Sequence, residues 1–211
     1  MEVIKIPVGL MSVNTYLYYD PVTLQGIVID PGFEAEKIWA VIQKASLRIT
    51  GTILTHGHYD HMGEVRNLFQ HTASMLYAGR AEAMVLRNAS INASRTHLAV
   101  PIEITEYAPL DEGTMIQVGQ NQLRTILTPG HTVGSICLYD EAEGVLFAGD
   151  TLFQRSVGRT DFPTGDQAAL VDSIQSRLFT LPDDVVVYPG HGASTTIGYE
   201  KKNNPYVRPA Q

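Results

Sequence analysis

The segment Thr55–His61, which reads THGHYDH, constrains the fold of this chain more than any other feature. It follows a short apolar run and precedes a helical pattern, and it places four potential metal ligands within six residues. Alternate residues that leave a strand point the same way, so His56 and His58 can bind one ion. Asp60 and His61 already turn into the helix and can bind a second. The segment predicts a strand, a ligand-bearing turn and a helix, in that order.

Three further segments repeat this arrangement, in which an apolar strand breaks at glycine or proline just before a potential ligand. The residues after these breaks are His131, Asp150 and His191. Glycine lets one backbone approach another, and strand ends of one sheet face the same edge. A single histidine after a strand is more often structural than a metal ligand. Taken together with the first segment, however, the three residues complete the ligand set of a two-ion site.

The composition of this ligand set favours a catalytic centre over a structural zinc site. A structural zinc site is closed by four ligands and is usually rich in cysteine. The set found here has more ligands than one tetrahedral ion can use, and it contains no cysteine. The chain's one cysteine, Cys137, lies in an apolar run that predicts a buried thiol. The other two histidines, His71 and His97, follow no strand end, and we interpret them as ordinary surface or loop residues.

Length and charge limit the classes of protein to consider. The chain has 211 residues and a net charge of −7, so we expect one domain over residues 1–211 and no nucleic-acid partner. A lone cysteine shows no adaptation to an oxidising compartment, and the N-terminus carries charge and proline where a signal peptide is apolar. No run approaches the ~20 apolar residues of a membrane span. We therefore predict a cytoplasmic protein that binds no membrane; the oligomeric state is not predicted.

Local patterns predict an α/β fold. Amphipathic spacing indicates three helices, over Glu34–Ser46, Met62–Gln70 and Asp166–Phe179. Short β-branched and aromatic runs bounded by turn residues predict strands over 16–19, 26–30, 51–55, 123–127, 135–139, 145–148 and 185–188. Strand pairs mixed with helices favour layered sheets covered by helices.

The order of these motifs resembles the metallo-β-lactamase superfamily, and more closely its glyoxalase II branch in the short bacterial form of hydroxyacylglutathione hydrolase. The similarity runs from about Pro7 to Pro205. Besides the ligand motifs, it includes Asn14-Thr15-Tyr16, Asp30-Pro31-Gly32, Gly149-Asp150-Thr151-Leu152-Phe153, Gly158-Arg159-Thr160-Asp161-Phe162-Pro163, Pro189-Gly190-His191-Gly192 and Thr195-Thr196-Ile197-Gly198-Tyr199-Glu200.

The resemblance implies an αββα sandwich of two mixed β-sheets flanked by helices, with the metal site at one edge. It implies one metal site of His56, His58 and His131, a second of Asp60, His61 and His191, and Asp150 as the bridge. The cofactor is expected to be two divalent ions, most commonly zinc, with iron or manganese as alternatives. The long enzymes of this branch add a C-terminal helical domain that holds glutathione, and we expect none here.

The expected reaction is hydrolysis of a thioester such as S-lactoylglutathione to a hydroxy acid and a free thiol. Two cations would share a hydroxide, because a bound metal lowers the pKa of water towards about 7. Asp60 is the expected catalytic residue, since it orients the hydroxide as well as binding the second ion. Arg159 is the candidate for binding a substrate carboxylate, because a guanidinium matches a carboxylate in two places. The alternative is that Arg159 pins its own loop through an ion pair with Asp161.

Other functions fit the same scaffold. Glutathione persulfide dioxygenases share the fold and bind one iron through the counterparts of His56, His131 and Asp150, so an oxidoreductase is the closest alternative. A non-catalytic binding protein should have lost ligands, and none is missing. A nuclease would normally carry a basic surface, which this acidic chain lacks. Zinc β-lactamases are typically exported, and many have a cysteine at the position of Asp150, so β-lactam hydrolysis is not expected.

Overall fold

Two stacked β-sheets form the centre of the protein. The computed structural model describes residues 1–72 and 74–210. Within these residues each main sheet has six strands, and a two-stranded hairpin lies beside them. The predicted α/β sandwich of two mixed sheets is confirmed.

The first sheet has the strand order β1-β2-β3-β4-β5-β6. Its antiparallel half is β1–β3, and its parallel half runs from β3 to β6. The strands are β1 (Glu2–Val8), β2 (Val13–Tyr19), β3 (Gln25–Ile29), β4 (Arg48–Leu54), β5 (Met75–Gly79) and β6 (Ala108–Leu110).

The second sheet has the order β14-β13-β10-β9-β8-β7 and is antiparallel except where β10 pairs with β13. Its strands are β7 (Met115–Val118), β8 (Asn121–Leu127), β9 (Ile136–Asp140), β10 (Val145–Gly149), β13 (Val186–Pro189) and β14 (Thr195–Thr196). The hairpin between β10 and β13 consists of β11 (Leu152–Phe153) and β12 (Ser156–Val157).

Helices cover the outer faces of both sheets. Between β3 and β6 lie α1 (Ala35–Lys44), α2 (Tyr59–Met62), α3 (Val65–Leu68), a 3-10 turn (Arg80–Glu82), α4 (Ala83–Leu86) and α5 (Ser94–His97). Later in the chain come α6 (Gln167–Ser173), which continues as a π-helical turn (Ile174–Leu178), and α7 (Ile197–Asn203).

Side-chain alternation along the strands builds three apolar layers. In β2, Tyr16 and Tyr18 point between the sheets, where their rings lie 5.3 and 5.2 Å from that of Phe147 in β10. Leu17 points the other way and packs under α1 with Ile38. The second sheet repeats this pattern, with Cys137 and its outward-facing neighbours packed under α6 and α7. This is the period-two pattern expected of strands buried on both faces.

The predicted helix over Met62–Gln70 differs most from the structure. Helix α2 ends at Met62 and α3 begins at Val65. Gly63 lies at the break, where an added Cβ would stand 2.2 Å from the carbonyl oxygen of Gly32. The close approach of these two backbones separates the ligand-bearing turn of helix from the helix that follows it.

None of the helices in the described part of the chain is both long enough and apolar enough to cross a membrane.

Candidate metal centre

The seven predicted metal ligands lie together at one edge of the sandwich. His56 and His58 follow β4, and Asp60 and His61 lie in α2, so the first sheet supplies four of them. The second sheet supplies the other three, which follow β8, β10 and β13: His131, Asp150 and His191. The ligands therefore come from strand ends of two stacked sheets rather than from those of one.

The first ligand group is His56, His58 and His131, all buried. Nδ1 of His58 lies 2.9 Å from Nε2 of His131. The ring of His56 is nearly perpendicular to both, with centroids 4.8 and 4.7 Å away. One nitrogen from each ring lies within 4.8 Å of the others, a spacing that a single ion can bridge.

The second ligand group is Asp60, His61 and His191. Nε2 of His191 lies 3.3 Å from Nε2 of His61 and 3.6 Å from Oδ2 of Asp60. Asp150 stands between the two groups. Its Oδ1 is 3.5 Å from Nε2 of His61, and its Oδ2 is 3.7 Å from His131 and 3.5 Å from His191. Its two oxygens thus reach both groups, as a bridging carboxylate must.

Two buried atoms test whether metal ions fit this arrangement. Among the described residues, Nε2 of His56 and Oδ1 of Asp150 have no hydrogen-bond partner. A third such atom, Oγ1 of Thr125, lies in β8. Leaving a buried polar atom without a partner costs about 1–3 kcal/mol, so two of them within the ligand groups call for a partner there. Both atoms point into the ligand groups, where a cation would satisfy them. The donor set of imidazoles and carboxylates suits zinc, iron or manganese.

The electrostatics of the centre also favour a cation. Burial lowers the pKa of His58 to about 3, helped by the neighbouring His131, and burial likewise holds the pKa of His56 well below its ordinary value. These rings are therefore neutral and offer lone pairs. Burial alone raises the pKa of Asp150, but the histidines around it, His61 first, bring it below its ordinary value, so this carboxylate stays ionised.

Hydrogen bonds on the outer side of the rings select the nitrogen that faces the centre. Nδ1 of His56 faces Oγ1 of Thr55 at 3.2 Å, and Nδ1 of His61 faces Oδ2 of Asp30 at 3.0 Å. Nδ1 of His131 is 2.7 Å from the carbonyl oxygen of Arg159, and Nδ1 of His191 is 3.1 Å from that of Met11. Such partners leave Nε2 free to bind metal. His58 is the exception, since it presents Nδ1 to the centre.

Sequence reasoning did not identify the role of Asp30. This buried residue also accepts hydrogen bonds from the backbone N–H of Thr55 (2.7 Å) and from its hydroxyl (2.6 Å). It thereby joins the end of β3 to the ligand-bearing turn. Its position after a strand, in Asp30-Pro31-Gly32, was the available signal.

A cavity of about 500 Å³ opens over the ligands. Apart from the ligands, its lining is largely apolar and aromatic: Met11, Tyr59, Ala93, His97, Phe153, Val157, Arg159 and Phe162. His97 is exposed, but its ring stacks on Tyr59 at 4.8 Å and forms part of this wall, which the sequence did not indicate. His71 does not line the cavity; it stacks on Trp39 at 4.9 Å.

Arg159 lines the same cavity, but its guanidinium already has a partner. Nε and Nη2 each donate to one oxygen of Asp161 at 2.6 Å, and the group lies 4.3 Å from the ring centre of Phe162. Both charged side chains are exposed. The ion pair anticipated as the alternative role of Arg159 is thus present, and its substrate role stays a prediction.

Comparison with known proteins gives a consistent result. The family model described as "Metallo-beta-lactamase superfamily" matches residues 8–191. A Haemophilus influenzae protein named hydroxyacylglutathione hydrolase GloC is 35% identical over 211 residues, which cover 98% of each chain. The crystal structure of BLEG-1 B3 metallo-beta-lactamase superposes with a TM-score of 0.91 at 33% identity, covering 97% of this chain and 99% of that one. That of TTHA1623 in a di-iron-bound form gives 0.86 at 34% identity, covering 96% and 99%.

Proposed function

The chain belongs to the metallo-beta-lactamase superfamily, and we propose that within it the protein is a thioester hydrolase that converts a substrate such as S-lactoylglutathione to a hydroxy acid and a free thiol. The observation that carries the proposal is the complete set of seven ligands, five of them buried, at a cavity lined by His58, Asp60, His131, Asp150 and His191. The relative named GloC supports the choice of substrate class.

One divalent cation would be held by His56, His58 and His131 and a second by Asp60, His61 and His191, with the carboxylate of Asp150 between the two ligand groups. When bound, such ions would supply a water of lowered pKa and a Lewis acid for the carbonyl oxygen. The chain's own contribution is placement. Asp60 is the candidate residue for orienting the attacking water, because it lines the cavity as well as belonging to a ligand group.

The leaving group needs little help from the protein. Water loses one proton to solvent and adds its oxygen to the carbonyl carbon, the C–S bond breaks, and the sulfur departs with the bonding electrons as a thiolate. The acid that forms releases the second proton of the water to solvent. A thiol has a pKa of about 8.5, so a thiolate leaves readily and takes its proton from solvent. Among the described residues that line the cavity, the carboxylates are those of the ligands Asp60 and Asp150.

A panel of substrates tests the proposal. Metal-loaded protein should hydrolyse S-lactoylglutathione, and Asp60→Ala should lose at least about 100-fold in kcat, as expected for a residue that positions the nucleophile. His71→Ala, a histidine outside the cavity, serves as the control and should keep wild-type activity. Wild-type turnover by a folded Asp60→Ala variant would contradict the role of Asp60.

Two other activities belong in the same panel. Oxygen uptake with glutathione persulfide tests the oxidoreductase alternative. This alternative requires iron, and the similar TTHA1623 structure is an iron-bound form. Hydrolysis of a chromogenic cephalosporin tests for the β-lactamase activity after which the similar BLEG-1 protein is named. If either exceeds thioester cleavage in kcat/KM, the thioester assignment is wrong.

A further inference from the structure

A buried carboxylate outside the ligand set lies between two ligand-bearing loops. Glu82 ends the 3-10 turn after β5, and its side chain is fully buried. Oε1 accepts a hydrogen bond from the backbone N–H of Gly57 at 2.7 Å. Oε2 accepts from Oγ1 of Thr132 and from the N–H of Gly134, both at 2.9 Å.

These contacts place each oxygen of Glu82 beside a different ligand loop. Gly57 lies between His56 and His58, and Thr132 directly follows His131. The loop that carries His131 also packs closely against Glu82, since a Cβ on Gly134 would stand 2.1 Å from the backbone nitrogen of Glu82. By contrast, none of the hydrogen bonds that Glu82 makes reaches α2 or the loop of His191.

Such a group is costly to keep in the interior. No lysine or arginine of the described chain forms an ion pair with Glu82. Burial raises its pKa to about 7, although its three hydrogen bonds oppose that shift. A buried carboxylate without a counter-ion reduces stability unless its hydrogen bonds compensate for the lost water. Its three donors therefore account for its presence, and all three belong to the ligand loops.

We propose that Glu82 is a positioning residue that ties the loop of His56 and His58 to the loop of His131, and so sets the metal affinity of this one site of the pair. The inference rests on the metal centre of the proposed function but not on its substrate. It predicts that the two metal sites respond differently to the loss of Glu82.

The test compares Glu82→Gln with Glu200→Gln. Glu200 is a matched control, because it is also fully buried and accepts three hydrogen bonds, from the N–H of Arg155 (2.9 Å), Oγ1 of Thr195 (2.6 Å) and Nδ2 of Asn204 (2.8 Å). None of these partners adjoins a metal ligand. In Glu82→Gln the new amide NH₂ faces a backbone N–H in either orientation, so this variant should lower the melting temperature of the metal-free protein. In Glu200→Gln the NH₂ can donate to the hydroxyl of Thr195, so the melting temperature should fall less.

Metal affinity separates the two variants. In zinc titrations against a chromophoric chelator, Glu82→Gln should weaken one of two sites by about 10–100-fold, the usual effect of losing a partner outside the ligand shell. Glu200→Gln should leave both affinities unchanged. In a His191→Ala background, which impairs the other site, Glu82→Gln should still weaken the remaining one. If Glu82→Gln does not fold, Thr132→Val removes one of the three hydrogen bonds and should weaken the same site less.

Several results would overturn the proposal: unchanged metal affinity in Glu82→Gln, equal weakening of both sites, or the same loss in Glu200→Gln. A wild-type protein that binds no metal would overturn it together with the proposed function. A wild-type protein that binds two ions but cleaves no thioester would refute the substrate assignment alone, because the titration does not depend on turnover.

Discussion

Arg159 contributes to the site with two different parts. Its backbone carbonyl fixes the ring of His131, whereas its side chain pairs with Asp161 at the cavity wall. The hydrogen bonds from Arg159 lower the pKa of Asp161 to about 2, so the pair is charged throughout the neutral range. A substitution of the side chain leaves the carbonyl in place, which makes the role of the guanidinium separable from that of the backbone.

The variants Arg159→Ala and Asp161→Ala should have opposite effects if the guanidinium binds substrate. Arg159→Ala should raise KM for S-lactoylglutathione by up to about fivefold, since an exposed ion pair contributes about 1 kcal/mol or less. Asp161→Ala frees the guanidinium and should lower KM. Steady-state kinetics, with a thioester lacking carboxylates as control, measures both. Similar changes in the two variants, accompanied by a lower melting temperature, would instead indicate that the pair only holds its loop.

Cys137 provides a pH-dependent prediction at the same scale. The thiol is buried between β9 and α6, and burial raises its pKa from 9.0 to about 11. The folded protein therefore keeps this proton at pH values where the unfolded chain loses it. The resulting stabilisation is complete below pH 9 and is lost as the pH rises towards 11.

We expect Cys137 to resist alkylation by iodoacetamide at pH 8.5 in the native protein and to react fully in guanidinium chloride. Mass spectrometry of the labelled protein measures this. Rapid labelling of the folded protein would show that the thiol is more accessible than its position in the core indicates.

The strands of the sandwich were predictable where the local sequence alone shows an apolar run with clear ends. The apolar runs that became β2, β3, β4, β8, β9, β10 and β13 are bounded by turn residues and buried on at least one face. By contrast, β1 was not predicted, because it contains Lys5 and Pro7, which interrupt the apolar pattern of a strand. Both residues are tolerated because β1 lies at the edge of its sheet. Strand β5 contains methionine, alanine and glycine and depends on parallel pairing with β4, which no local pattern shows.

The residues of the site likewise fall into those that the sequence indicates and those that it does not. That the seven candidate ligands meet was predictable, because each lies within four residues of a strand end or within one short motif. Asp30, Glu82 and His97 were not, because their roles depend on contacts formed only in the folded chain: Asp30 with residues 25 and 31 positions away, and Glu82 with residues 25, 50 and 52 positions away. A buried carboxylate in a sequence does not reveal which loops it will hold.

The strand-to-loop junction after β13 allows a prediction at this scale. A Cβ on Gly190 would stand 2.2 Å from Oδ1 of Asp150 and 2.8 Å from Cε1 of His61. Gly190→Ala should therefore displace ligands and reduce the bound metal to fewer than two ions per chain by elemental analysis. Gly192→Ala is the control in the same loop, because its Cβ meets no atom of residues 1–72 and 74–210 within 4 Å, although its φ is +76°. It should cost about 1 kcal/mol through backbone strain and retain its metal.

Across the whole molecule, the metal centre joins the two sheets at their shared edge. Four ligands come from the first sheet and three from the second, so bound ions would cross-link two layers that also meet through apolar packing and through hydrogen bonds such as that from Oη of Tyr18 to Asp140 (2.6 Å). Ions that bind only the folded state stabilise it, by about 4 kcal/mol when their free concentration is 1,000 times Kd.

Removing the metal with a chelator should therefore lower the melting temperature, and adding zinc back should restore it. Scanning calorimetry of the stripped and reloaded protein measures the shift, and magnesium, which prefers oxygen ligands, is the control ion. An unchanged melting temperature after verified metal removal would mean that the centre does not stabilise the sandwich.

The orientation of His58 has a further consequence. Nδ1 is closer to the backbone than Nε2, so the binding nitrogen of His58 lies nearer to its main chain than those of the other four ligand histidines. A displacement of the main chain at residue 58 therefore moves the binding nitrogen almost as far. The other four histidines, which present Nε2, can compensate for such a displacement by rotating their side chains. Of the five ligand histidines, His58 therefore tolerates the least movement of its backbone. Loop exchanges that are intended to alter the cavity should leave residues 56–58 in place.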